Sequence, residues 1–103
     1  MKGGEKEMVK INNYDFEGPY SLSSSFNEVA GIYVIYTTQS WLDVGETDKL
    51  GSRISNHERK KEWYRYAEGL PIWLAFLEVS DSGRRLQIES ELRSLLQPIC
   101  GER

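Results

Sequence analysis

The chain has 103 residues, with 13 Lys and Arg against 16 Asp and Glu and a formal net charge of −3. That length allows one domain with one modest core, and 39% hydrophobic with 28% charged residues is ordinary globular composition. The acidic balance argues against strong non-specific duplex binding, which draws its affinity from phosphate contacts, and leaves room for a local basic face. The apolar runs IWLAFL and GIYVIY are too short to span a bilayer.

A single cysteine, Cys100, excludes an internal disulfide framework and a multi-cysteine zinc site. MKGGEKEMVK has no apolar segment of the signal-peptide kind, so a cytoplasmic protein with a reduced thiol is expected. Residues 1–7 read as a disordered lead to one domain over 8–103. A short extended piece is expected around Val9–Asn13. FEGPYSLSSS (16–25) is turn-rich, with Gly18-Pro19 and three serines in a row, and is expected to be irregular.

Residues 31–37 and 41–45 form a hairpin joined around Thr38 and Gln39. An odd-numbered loop would set Tyr33 directly across from Asp43, on one face of the sheet. Asp43 itself is out of place, because strands facing a core are built from Val, Ile and aromatics. From Asp48 to about Trp63 the pattern is helical, with Thr47 or Asp48 as N-cap. Gly69 and Pro71 close the region that follows. PIWLAFLEV (71–79) is apolar at nearly every position, as in a strand buried on both faces. A second helix runs from about Gly83 to Leu96 and stops before Pro98. The order β-β-α-β-α predicts an α+β domain, one small sheet with helices packed on it.

Both helices carry polar groups where apolar ones are expected. Leu50, Arg53, Ile54 and His57 follow the spacing of a core-facing stripe, yet two of the four are polar. Ile88, Leu92, Leu95 and Leu96 define the apolar arc of the second helix, and Glu89 falls beside Leu96 and Leu86. A half-buried carboxylate needs a cation, whether an arginine or a metal. Arg85, at i−4 from Glu89, offers a plain intrahelical pair. A carboxylate, a guanidinium and an imidazole suit metal-assisted attack on a phosphate, and they suit a salt-bridge cluster equally. HERKKEWYRY (57–66) interleaves Arg59, Lys60, Lys61 and Arg65 with aromatics, a pattern for contacting a nucleic-acid backbone and stacking on unpaired bases. A solvated helix end with Trp63 and Tyr66 packed inward fits the same residues.

GIY at Gly31–Tyr33, followed by DVGET at Asp43–Thr47, resembles the motif pair that names the GIY-YIG nucleases. Arg53 stands eight residues after Gly45, where that family has its catalytic arginine; His57 follows four later, matching a histidine of several branches. Glu89 precedes Pro98 by nine residues, the family's spacing for its metal-binding glutamate. The resemblance covers about residues 30–100. It implies a three-stranded antiparallel sheet flanked by helices and a metal-dependent endonuclease acting on nucleic acid, DNA ahead of RNA. It further implies that Glu89 holds one Mg²⁺ or Mn²⁺ and that Arg53 stabilises charge on the scissile phosphate. Tyr33 would position or deprotonate the attacking water, and His57 would assist the proton transfer or hold the phosphate.

Two positions depart from the family pattern. The second motif's tyrosine is Asp43, and the asparagine expected three residues after the proline is Gly101. A carboxylate at 43 can be a general base or a second metal ligand, or it can bridge to Arg53 or His57. It also suits a site without chemistry, which makes a catalytically inactive interaction module on the same fold the alternative to the enzyme. Tyr33, Asp43, Arg53, His57 and Glu89 are expected to meet in one cleft.

Overall fold

The computed structural model describes residues 7–101. Two local hairpins come first: β1 (Met8–Ile11) with β2 (Tyr14–Ser21), then β3 (Gly31–Tyr36) with β4 (Trp41–Thr47). Two short helices, α1 (Leu50–Ser55) and α2 (Lys60–Ala67), lead to β5 (Trp73–Glu78) and to the long α3 (Ser82–Leu96). β5 lies between the hairpins, antiparallel to both β2 and β3, and the order across the sheet is β1-β2-β5-β3-β4. The alternating side chains of β3 and β5 therefore serve two cores. Tyr33, Ile35, Leu74 and Phe76 pack with Leu50, Ile54 and Trp63 of α1 and α2. Ile32, Val34 and Ala75 pack with Ile88 and Leu92 of α3 on the other face. At roughly 1.5–3 kcal/mol per buried aliphatic side chain, Ile88 and Leu92 anchor α3 more firmly than its N-cap, worth about 1 kcal/mol. That cap is Asp81, whose carboxylate accepts from the Arg84 N–H at 2.7 Å.

The sheet is larger than the three strands expected. The segment expected to be irregular contributes β2, an interior strand paired with β1 and β5. Gly18-Pro19 falls where the register shifts between Glu17 and Tyr20, a bulge in which the missing proline N–H interrupts no regular ladder. The expected disordered lead lies outside the described residues except for Glu7, whose carbonyl accepts from the Gly18 N–H at 3.0 Å.

The helix expected from Asp48 to Trp63 is two helices. A break at residues 56–59 places His57 in a turn rather than on a stripe shared with Arg53. Neither Thr47 nor Asp48 caps α1. Its first N–H groups bond instead to the preceding loop: Leu50 to the Val29 carbonyl (2.9 Å), Gly51 to the Asn27 carbonyl (3.2 Å), and Ser52 to the Glu28 carboxylate (2.8 Å). Those long-range acceptors leave no need for a side-chain cap. On α3, Leu95 is exposed, and the buried arc is Arg85, Ile88 and Leu92.

The hairpin reaches the expected facing of Tyr33 and Asp43 by another route. Four residues, 37–40, separate Tyr36 from its partner Trp41, and that even loop alone would put the two side chains on opposite faces. A register shift between Ile35 and Tyr36 restores the parity, pairing Ile35 with Asp43 and Tyr33 with Gly45. Both side chains then share the α1/α2 face, two residues apart along β4.

Candidate active site

Tyr33 points from the middle of β3 across Gly45. A Cβ at Gly45 would stand 2.2 Å from the tyrosine hydroxyl, so the glycine is what lets the ring lie there. The hydroxyl meets His57 Nε2 at 2.7 Å and faces Arg53 Nε at 3.4 Å. His57 is held from behind, because its Nδ1 accepts the Arg59 backbone N–H at 3.1 Å. A neutral imidazole accepting at Nδ1 carries its proton on Nε2. His57 therefore donates to the Tyr33 oxygen. Burial, with Arg53 and Arg59 alongside, pushes the histidine down to about 4, so this tautomer holds at neutral pH. Burial pushes Tyr33 up to about 12, and it keeps its proton. With donors on its oxygen, Tyr33 directs its own O–H elsewhere.

Above this trio opens a cleft of about 970 Å³, walled on one side by Arg53, Glu58 and Arg59 and on the other by Glu89 and Arg93 of α3. Arg53 gives NH1 and NH2 to the two Glu58 oxygens at 2.9 and 3.4 Å. Glu89 is half-buried, with Arg93 Nε 3.5 Å from its carboxylate, and burial raises it. The intrahelical Arg85–Glu89 pair does not form. Arg85 turns to Glu46 of β4 (2.9 Å) and to the carbonyls of Val79 and Ser80. Among the described residues no three His, Cys, Asp or Glu side chains gather as a metal cage. A divalent ion at Glu89 would take this carboxylate and fill the rest of its shell with water and substrate oxygens, a sparse donor set that hard divalent cations accept. Burial is the first cause of the rise at Glu89, Glu46 adds to it, and Arg93 and Arg59 oppose it.

The backbone has a counterpart among solved structures. The chain matches the GIY-YIG N-terminal endonuclease domain of UvrC from Thermotoga maritima, a crystal structure of a point mutant bound to its catalytic divalent cation. The TM-score is 0.61 at 18% identity, over 75% of this chain and 87% of that one. This is a GIY-YIG fold. No family model and no curated protein matches the sequence.

Within the GIY-YIG fold, Tyr33, Arg53, His57 and Glu89 come to one cleft or its floor, and Asp43 does not. Asp43 is fully buried at the edge of the sheet. Its Oδ2 accepts from Arg59 Nε and Trp63 Nε1, each at 2.8 Å. Its Oδ1 accepts from Arg93 NH2 (2.7 Å), the Val44 N–H (2.9 Å) and Arg59 NH2 (3.4 Å). Five donors saturate a carboxylate. They leave it no lone pair for a metal and no contact with Arg53 or His57. Gly101 belongs to the same arrangement: a Cβ there would stand 2.6 Å from Arg93 NH2 and 2.9 Å from Asp43 Oδ1.

Of the four basic residues expected on nucleic acid, only Arg59 lines the cleft. α2 buries Trp63 and Ala67, which turns Lys61 and Arg65 to the outer side. Lys60 reaches the Ser55 carbonyl at 3.4 Å, in a separate groove. Trp63 packs inward, while Tyr64 and Tyr66 are exposed. Arg93, Glu46 and Glu58 escape sequence reasoning. Only Arg93 left a signal, its i+4 position from Glu89.

Proposed function

We propose that this protein is a metal-dependent endonuclease that hydrolyses phosphodiester bonds of DNA in the cytoplasm. The observation that carries the reading is the polarised Tyr33 hydroxyl on the cleft floor, bonded to His57 at 2.7 Å, with Arg53 beside it and Glu89 on the facing helix. The GIY-YIG fold supports it, and the neighbour of that fold carries a catalytic divalent cation. The free, buried Cys100 suits a reducing compartment.

In this reading Glu89 holds Mg²⁺ or Mn²⁺, which when bound supplies Lewis-acid charge to the oxygens of the scissile phosphate. Arg53 adds a fixed cation where negative charge develops, the preorganised electrostatic role worth most in transition-state stabilisation. Tyr33 acts as a donor: His57 Nε2 already carries a proton, so it cannot take the phenol's. The Tyr33 O–H then orients the attacking water or a phosphate oxygen, while His57 fixes the phenol. Asp43 is structural, setting Arg59 and Arg93 along the cleft. Arg59 meets the backbone there.

The test is nicking of supercoiled plasmid with Mg²⁺ or Mn²⁺, with Glu89→Ala in parallel. Metal-dependent nicking by wild type and none by the variant is the expected result. Equal nicking by both would remove Glu89 from the mechanism. A rate that rises from pH 7 to 9 in wild type but stays level in Tyr33→Phe would contradict the donor role, since Tyr33 ionises only near 12.

A further inference from the structure

We infer that Arg53 and Arg59 form a two-arginine bay for one backbone phosphate, and that the chain's own Glu58 carboxylate occupies it as an internal competitor. The inference rests on the nuclease reading only for the identity of the outside anion.

Glu58 lies in the turn between α1 and α2, directly after the buried His57. Its two oxygens take NH1 and NH2 of Arg53 at 2.9 and 3.4 Å, fork to fork, and Arg59 NH1 closes the third side 3.6 Å from Oε2. The two arginines are fixed from behind. Arg59 commits Nε and NH2 to buried Asp43, which leaves NH1 facing the bay, and Arg53 Nε rests on the Tyr33 hydroxyl. The carboxylate between them faces solvent. The Glu58 side chain is 61% exposed, and among the described residues its polar contacts beyond the arginines are its own backbone N–H and, at 4.0 Å, His57 Nδ1.

Donors anchored from behind around a solvent-exposed acceptor describe a binding site with a displaceable occupant. A phosphodiester offers the same pair of oxygens that a bidentate arginine takes from a carboxylate. Exposed ion pairs add little to stability, so the consequence of this one lies in occupancy. Substrate must displace Glu58 before Arg53 can reach the scissile group.

The experiment is anisotropy of a fluorescein-labelled single-stranded DNA oligonucleotide in EDTA, which separates binding from cleavage. Glu58→Gln should tighten Kd by about tenfold, the scale of a charge-assisted hydrogen bond set free. Glu62→Gln, the same charge change on the neighbouring α2, should tighten it by about twofold or less, as a screened surface charge does. In an Arg53→Gln background the gain from Glu58→Gln should disappear. A Glu58→Gln gain no larger than that of Glu62→Gln, or one that survives Arg53→Gln, overturns the bay. Wild type that fails to nick with metal while the Glu58-specific gain persists rejects the nuclease reading and upholds the bay.

Discussion

Two polar groups of side chains lie side by side beneath the sheet's outer edge, and they are built in opposite ways. Around Asp43 every acceptor is filled by a protein donor, two arginines, an indole and a backbone N–H converging on one buried carboxylate. In the neighbouring cleft the pairings are looser: a tyrosine oxygen that Arg53 reaches only at 3.4 Å, an arginine paired with an exposed glutamate, and a half-buried carboxylate with Arg93 at 3.5 Å. Saturation suits architecture, and the looser cleft is where the proposed chemistry would act. Arg59 and Arg93 belong to both, each bonded to Asp43 behind and facing the cleft in front.

The largest effect should come from the saturated side. Asp43→Ala strands two arginines and the Trp63 N–H, and removing one partner of a buried pair typically costs about 3–5 kcal/mol. Denaturant unfolding would register it, and a loss below about 1 kcal/mol would dissolve the contrast between the two clusters. Arg53→Ala should do the reverse. Loss of a preorganised donor lowers nicking by about 10²–10³-fold, while the exposed Arg53–Glu58 pair leaves the unfolding midpoint nearly unmoved.

His57 stands on the boundary, and acid should reveal it. The unfolded histidine protonates below its ordinary 6.5, and the folded one stays neutral until about 4. The unfolded state therefore binds more protons in that window, and stability falls as pH drops through it, by up to about 3 kcal/mol. Urea unfolding at pH 7 and pH 4.5 measures the fall, and His57→Gln should flatten it. A smaller effect is expected of Gly45→Ala, whose new methyl must move the Tyr33 hydroxyl. Overpacking of this kind costs about 1–3 kcal/mol. Nicking should suffer more than stability, and an unchanged rate would release Tyr33 from the site.

What the sequence carried plainly was spacing within elements. Tyr33, Gly45, Arg53 and Glu89 stand at motif spacings along the chain, on β3, β4, α1 and α3, and the fold brings all four to one cleft. Asp43 was legible as an anomaly but not as a hub, because its partner Arg93 is fifty residues away and no local period links them. The helix expected through His57 failed for a similar reason. Asn56 ends α1, and the Arg59 N–H bonds to the His57 ring instead of to a helical carbonyl. β2 was hidden by Gly18-Pro19, a pair that reads as a turn until a bulge opposite β5 accommodates it.

The place of β5 bears on how the chain reaches this state. The strand that joins the two hairpins is the last of the five to be synthesised, so the β2 and β3 edges have no partner until residue 78 is available. Ribosomal elongation at about 5–20 residues per second leaves GIYVIY with an open edge for several seconds after it emerges. Such an apolar edge is a template for pairing with another chain. Folding then awaits a non-local closure, Tyr20 against Leu74, and pairings of that separation belong to the slower range of small domains. Polar substitutions at the centre of β5 should slow refolding, whereas changes in the β1–β2 turn should mainly speed unfolding.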